Sequence, residues 1–101
     1  MDTLKIFNLT GKTAIVTGGS RGIGEAIAKG FAQAGAALIL VSRNLCALEK
    51  VAKEIEAFGR KALPIVTDIG NPEEIQKTID VTLKAFPRID ILVNNAGISP
   101  V

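Results

Sequence analysis

The run Thr17-Gly18-Gly19-Ser20-Arg21-Gly22-Ile23-Gly24 constrains this chain more than any other feature. It follows the apolar stretch Ala14-Ile15-Val16 and opens a segment of helical periodicity. A strand, a glycine-rich turn and a helix start thus succeed one another. Such a junction can hold a pyrophosphate. The first N–H groups of a helix have no intrahelical acceptor, and the helix dipole favours negative charge there. Glycine lacks a Cβ, so the backbone can turn sharply and a ligand can come close. The spacing, Gly18-x-x-x-Gly22-x-Gly24, differs from the G-x-G-x-x-G of many dinucleotide enzymes. Glycines can also serve only a tight turn and helix–sheet packing. The small residues between them and the base Arg21 favour the phosphate site over that reading.

The rest of the chain alternates in the same way. A strand is predicted near Thr13 to Thr17 and a helix from Gly22 to Ala34. Ile23, Ala26, Ile27, Gly30, Phe31 and Ala34 lie on one face of that helix, and Gly35 ends it as a C-cap. Leu38 to Val41 is a continuous apolar run, the mark of a strand buried on both faces of a parallel sheet. A second helix starts near Asn44 with Leu45, Leu48, Ala52 and Ile55 at spacings of three and four, and Gly59 lies beyond its end. Ala62 to Thr67 reads as a third strand, and Pro64 assigns it to an edge. Asn71-Pro72-Glu73-Glu74 starts a third helix: Asn71 caps, Pro72 suits the first helical position and Glu74 can complete a capping box. Ile75, Ile79, Thr82, Leu83 and Phe86 form its apolar face, and Pro87 stops it. Ile89 to Val93 is a fourth strand, with the loop Asn94-Asn95-Ala96-Gly97 after it. The order β-α-β-α-β-α-β with right-handed crossovers predicts an α/β fold, a doubly wound parallel sheet of strand order 3-2-1-4.

Composition narrows the function. With 101 residues the chain suits one small domain, and with 48% apolar residues it can bury a Val/Ile/Leu/Ala core. The net charge is only +2 and the bases are scattered, so no nucleic-acid footprint is expected. The longest apolar stretch, Ala34 to Val41, is too short for a bilayer, and the N-terminus lacks a signal peptide's pattern. One cysteine, Cys46, allows no internal disulfide, and the absence of His leaves no ordinary zinc set. No metal site is expected, and a reducing cytoplasm is the expected location. Glu49/Lys53 and Lys50/Glu54 read as surface pairs of the second helix. Cys46, in that helix's first turn without a His partner, reads as incidental.

Three motifs at consecutive strand ends resemble one family. Thr17 to Gly24 matches the T-G-x-x-x-G-x-G motif of the short-chain dehydrogenase/reductases. Asp68-Ile69 matches their adenine-contacting pair, and Asn94-Asn95-Ala96-Gly97 their N-N-A-G. The resemblance runs from about Leu9 to Ser99, with the flavour of bacterial 3-oxoacyl-carrier-protein reductases and sugar-acid dehydrogenases. It implies a Rossmann-type fold, a nicotinamide dinucleotide and a carbonyl/alcohol redox pair. On this reading residues 1–101 are a single, partial dinucleotide-binding domain.

The resemblance also assigns roles. Gly18, Ser20, Arg21, Gly22, Ile23 and Gly24 surround the pyrophosphate. Families that use NAD place a carboxylate about 20 residues after the glycine loop, to hold the ribose 2′-hydroxyl. Here the second strand ends Val41-Ser42-Arg43-Asn44, with no carboxylate before Glu49. Arg43 can pair with a 2′-phosphate and Arg21 can add a second cation, so NADP(H) is expected over NAD(H). Alternatively Arg43 is a solvated residue at a helix start. Asp68 suits the adenine amino group, with Ile69 against the ring. It also suits the approach to the third helix. Of Asn94 and Asn95, the family uses one to brace the glycine loop and one near the nicotinamide ribose. Asn95, with Ala96 and Gly97, is assigned to the cofactor, although Asn and Gly are also ordinary turn residues.

The family's proton donor is a Tyr with a Lys four residues later, and its carbonyl-orienting group is a Ser, all beyond the N-N-A-G strand. This sequence has no Tyr and no His. No catalytic residue is therefore assigned, and the chain is expected to bind cofactor without turning over a carbonyl by the family mechanism. The alternatives are a non-catalytic nucleotide-binding or self-associating protein, or a half-enzyme completed by a separate C-terminal chain. Strand 89–93 is expected to form an exposed apolar edge that invites self-association.

Overall fold

The computed structural model describes residues 8–18 and 22–94. The elements are β1 (Thr13–Thr17), α1 (Gly22–Gln33), β2 (Ala37–Ser42), α2 (Leu45–Ala57), β3 (Ala62–Val66), α3 (Pro72–Ala85) and β4 (Ile91–Asn94). The four strands form one parallel sheet in the order β3-β2-β1-β4. This is the predicted topology. The connections β1 to β2 and β2 to β3 step in one direction, and β3 to β4 steps back over two strands. Right-handed crossovers then place α1 and α2 on one face and α3 on the other.

Strand alternation divides the core accordingly. Ala14, Val16, Leu38 and Leu40 point to the first face, where they are wholly buried with Ala28 and Ala32 of α1 and Leu48, Val51, Ala52 and Ile55 of α2. Ile15, Ile39 and Val41 point to the second, against Leu63, Ile65, Phe86 and Ile89.

The buried face of α1 differs from the predicted one. Gly24, Ala28 and Ala32 are its buried residues, Ile27 and Phe31 pack at the margin, and Ile23 is 66% exposed. Small side chains let the helix axis approach the strands closely, and the larger ones fill the flanks. The end of α1 is as expected. Gly35 has φ +112°, and a Cβ there would lie 2.7 Å from Thr10 Oγ1 and 2.9 Å from Thr10 N. Both the conformation and the close approach of residue 10 therefore demand glycine.

Helix α2 is capped by Asn44, whose side chain accepts from Ala47 N. Its Glu54 does not pair with Lys50 by a direct contact. It meets Lys29 of α1, which also meets Glu25. These two carboxylates raise the Lys29 pKa above its ordinary value, and the Lys29 hydrogen bond lowers that of Glu54.

Strand β3 is an edge, as Pro64 requires. Lys61 O accepts from Leu38 N, and Thr67 N donates to Ser42 O. Odd-numbered residues thus turn their polar groups to β2, and Pro64 turns its missing N–H outward.

Helix α3 starts as predicted, with Asn71 as cap and Pro72 in the first turn. Its inner face follows the prediction at Thr82 and at Phe86, which packs on the core, but not elsewhere. Thr78 and Thr82 are buried, whereas Ile75, Ile79, Val81 and Leu83 are exposed. Strand β4 begins two residues later than expected and includes Asn94. Asp90, just before it, accepts from Thr13 N at 2.9 Å and pairs with Arg88. That backbone hydrogen bond first, then the nearby Arg88 and Lys12 charges, hold the Asp90 carboxyl below its usual pKa.

Candidate functional site

The carboxyl ends of β1, β2 and β3 open into a cleft of about 870 Å³, within the usual range for small-ligand sites. Gly18 lines it after β1, residues 42–46 after β2 and residues 67–70 after β3. In open α/β sheets ligands bind where the strand order reverses, here beside β1.

The β1 limb starts at Gly18. Its φ is +69°, its N–H donates to Val41 O at 2.8 Å, and Gly22 at the start of α1 has φ +62°. Glycine fits both left-handed positions, so the chain can reverse within a few residues. The base of this limb is tied to β4. Thr17 Oγ1 donates to Asn94 Oδ1 at 3.1 Å and to Val93 O at 3.3 Å. Asn94 therefore fastens the strand from which the glycine turn departs. Gly24 is buried in α1, whereas Ile23 projects to solvent. Ser20, Arg21, Asn95, Ala96 and Gly97 lie outside the described residues.

The β2 limb carries Arg43 and Asn44, both exposed. Arg43 lines the cleft and makes no hydrogen bond or ion pair to the described residues. Asn44 is less free than the sequence suggests. Its Oδ1 is used by Ala47 N at 3.1 Å, and its own N–H donates to Ser42 Oγ at 3.2 Å. It shapes the limb as a helix cap, and its side-chain amide N–H groups make none of these bonds.

The β3 limb is the most extensively bonded. Thr67 is buried, its N–H donates to Ser42 O at 2.9 Å and its hydroxyl lies 2.5 Å from that of Thr78. Asp68 Oδ1 accepts from Gly70 N at 2.9 Å. Asp68 O accepts from Asn71 N at 2.9 Å, and Asp68 N donates to Glu74 Oε1 at 2.9 Å. The reciprocal capping box predicted for Glu74 is not formed, because the Asn71 N–H is already engaged and Glu74 reaches back to Asp68. The second carboxylate oxygen of Asp68 enters none of these bonds. Ile69 lines the cleft beside it.

The structure thus brings Gly18, Arg43, Asn44, Asp68 and Ile69 together. It adds Ser42, Leu45, Cys46, Thr67 and Gly70, which sequence reasoning did not assign to the site. The signal for Ser42 and Thr67 was their place at strand carboxyl ends. Among the described residues, Asp68 is the cleft's only acidic lining residue and Arg43 its only basic one. Among the described residues no cluster of His, Cys, Asp and Glu could hold a metal ion. No helix among them is long and apolar enough to cross a membrane.

A second cavity, an apolar groove of about 410 Å³, lies between the sheet and α3. Ile15 and Val41 form its floor, Ile75 and Ile79 one wall and Leu92 of β4 the other, while Ile69 and Thr67 border both cavities.

Comparison with known proteins places this geometry. The family model for short chain dehydrogenase matches residues 12–101. An uncharacterized oxidoreductase of Mycobacterium tuberculosis is 44% identical over 94 residues, covering 93% of this chain and 36% of that relative. The L-sorbose reductase of Gluconobacter frateurii, solved with NADPH and L-sorbose, superposes with a TM-score of 0.86 at 41% identity, over 90% of this chain and 35% of that one. A metagenomic short-chain oxidoreductase in complex with NADP gives a TM-score of 0.84 at 41% identity, over 87% of this chain and 40% of that one. The chain therefore spans little more than a third of the length of the proteins it matches.

Proposed function

The chain belongs to the short-chain dehydrogenase family, and from that premise we propose that these 101 residues form the NADP(H)-binding part of a carbonyl/alcohol oxidoreductase. The observation that carries the reading is the convergence of Gly18, Arg43 and Asp68 on one cleft at the carboxyl ends of three parallel strands. The glycine turn takes the pyrophosphate, Arg43 the 2′-phosphate, and Asp68 with Ile69 the adenine. Two similar structures hold NADPH or NADP, which supports the phosphorylated cofactor. When bound, the cofactor supplies hydride. What this chain supplies is its placement: backbone donors at a helix start, one guanidinium, and one carboxylate set by hydrogen bonds.

Calorimetric titration with NADP, NAD and ADP tests this. NADP should bind more tightly than NAD, and Arg43→Asp should abolish that preference. Loss of the 2′-phosphate pairing is worth about ten-fold or more in affinity, since charge-assisted bidentate bonds are the strong ones. Equal affinities for NADP and NAD in the wild type would overturn the assignment of Arg43, and absence of binding would overturn the site.

The sequence holds no Tyr. As this polypeptide alone, it is proposed to bind cofactor without reducing a ketone, for want of the family's proton donor. NADPH oxidation by the purified chain at a rate comparable with whole family members would refute that. The solitary cysteine supports a reducing cytoplasm as its compartment.

One observation favours a further partner, a second copy. Leu92 of β4 is 67% exposed beside the apolar groove. Even-numbered β1 residues bond to β2, through Lys12 O and Gly18 N, so odd-numbered ones face β4, and the register turns the backbone groups of Ile91 and Val93 to β1 and those of Leu92 to the outer edge. Among the described residues nothing covers that edge, and self-association through it is proposed.

A further inference from the structure

Glu74 lies outside the cleft, yet it is bonded to the residue that this reading gives to the adenine. We propose that Glu74 is a positioning residue for the adenine end of the site: it fixes Asp68 and Ile69 in their binding arrangement before any nucleotide arrives. The proposal rests on the cofactor reading above and goes beyond it in naming what holds the limb.

Five bonds carry the argument. Asp68 is held at its N–H by Glu74 Oε1, at its carbonyl by Asn71 N and at Oδ1 by Gly70 N. With backbone and side chain both fixed, its remaining carboxylate oxygen has a set direction. One residue earlier, Thr67 contacts the Thr78 hydroxyl, and Thr78 Oγ1 donates in turn to Glu74 O at 3.0 Å. The limb is thereby fastened to the first turns of α3 by groups that α3 does not need for its own cap. Asn71 alone serves that cap, accepting from Glu73 N and Glu74 N. A glutamate at this position would ordinarily bond back to the cap residue's own N–H. Here it reaches three residues further, onto the site. A limb ordered in advance loses little freedom on binding, which is how preorganisation raises affinity.

Glu73 supplies the control. It lies in the same helical turn and carries the same charge, but it is exposed and its side chain makes no hydrogen bond to the described residues. ADP is the probe, because it needs the adenine limb and not Arg43. Glu74→Ala and Glu74→Asp, the second keeping the charge but too short to reach Asp68, should each weaken ADP about ten-fold, the effect of losing one charge-assisted bond. Glu74→Gln still presents an acceptor and should stay within about two-fold of wild type, as should Glu73→Ala. The Asp68 amide should exchange with solvent quickly in the first two variants and slowly in Glu74→Gln. If Glu74→Ala does not fold, the Asp and Gln variants decide the matter. ADP affinity unchanged in Glu74→Asp, or a loss in Glu73→Ala as large as that in Glu74→Asp, would overturn the positioning role alone. A wild type that takes up no ADP would overturn the cofactor reading beneath it.

Discussion

The two faces of the sheet are built from the same residue types and finished differently. On the α1/α2 face Ala14, Val16, Leu38 and Leu40 are wholly buried beneath two helices. On the α3 face one helix must serve the whole crossover from β3 to β4, and it turns Thr78 and Thr82 inward while Ile75, Ile79, Val81 and Leu83 stay exposed. All three helices have apolar residues at three- and four-residue spacing. Periodicity says which side of a helix is apolar. Whether a partner surface lies opposite is decided by topology, which places two helices over three strands on one side and a single helix on the other.

The largest effect expected from this contrast is on stability. Leu48 is fully buried on the closed face and Leu83 is exposed on α3. Leu48→Ala should cost about 2–5 kcal/mol, enough to unfold much of a domain this small. Leu83→Ala should cost less than about 1 kcal/mol. Urea unfolding of the two variants measures both, and comparable losses would show that the α3 face is as tightly packed as the other.

Next in size is association. Lysine on an edge strand opposes pairing, because its charge would have to be desolvated. Leu92→Lys should shift the proposed self-association to higher concentration by about ten-fold or more, as read by sedimentation. Wild-type chain that stays monomeric over a wide concentration range would remove the contrast in consequence, though not in geometry.

What the sequence made legible follows the same division. Element order, sheet order, the edge position of β3, the Asn71 cap and the glycine at Gly35 came from local chemistry: turns, caps and apolar runs act within a few residues. The site's strand-end positions, Gly18, Arg43 and Asp68, were legible because parallel sheets gather ligands at strand carboxyl ends. Three features were not legible. The buried face of α1 is set by how closely Gly24 and Ala28 let it approach the sheet, a tertiary matter. The Lys29 pairing with Glu54 spans two helices and outcompetes the local pair within α2. Glu74 matched a familiar local motif, and only the folded loop shows that its acceptor bonds Asp68 instead.

A smaller effect concerns the polar lining of α3. Thr82 Oγ1 is buried and has no hydrogen-bond partner among the described residues. Thr82→Val keeps the shape and removes a desolvated hydroxyl, with helix propensity nearly unchanged. It should raise stability by about 1 kcal/mol. A loss of that size in thermal unfolding would mean that the hydroxyl is bonded in solution and that the α3 face is better satisfied than its geometry indicates.

The smallest effect is a pH dependence that separates the two regions by their carboxylates. Glu54, through Lys29, joins α1 to α2, and Asp90, through Thr13 N, joins the approach to β4 to the start of β1. Both pKa values are lowered in the fold, by the Lys29 hydrogen bond and by the Thr13 backbone hydrogen bond respectively. A depressed carboxyl stabilises the fold at pH above its unfolded value. As pH falls below about 4 the unfolded chain takes up the proton first, and that stability is lost progressively as pH drops through the folded value. Asp90→Asn and Glu54→Gln should therefore each flatten the decline of the urea midpoint below pH 4 and leave its slope near pH 7 unchanged. The Asp90 link ties β4 into the sheet, so Asp90→Asn should also speed amide exchange in β4 selectively. Glu54→Gln should leave β4 exchange at the wild-type rate, and acceleration there would mean that the closed face and the β4 edge open as one unit.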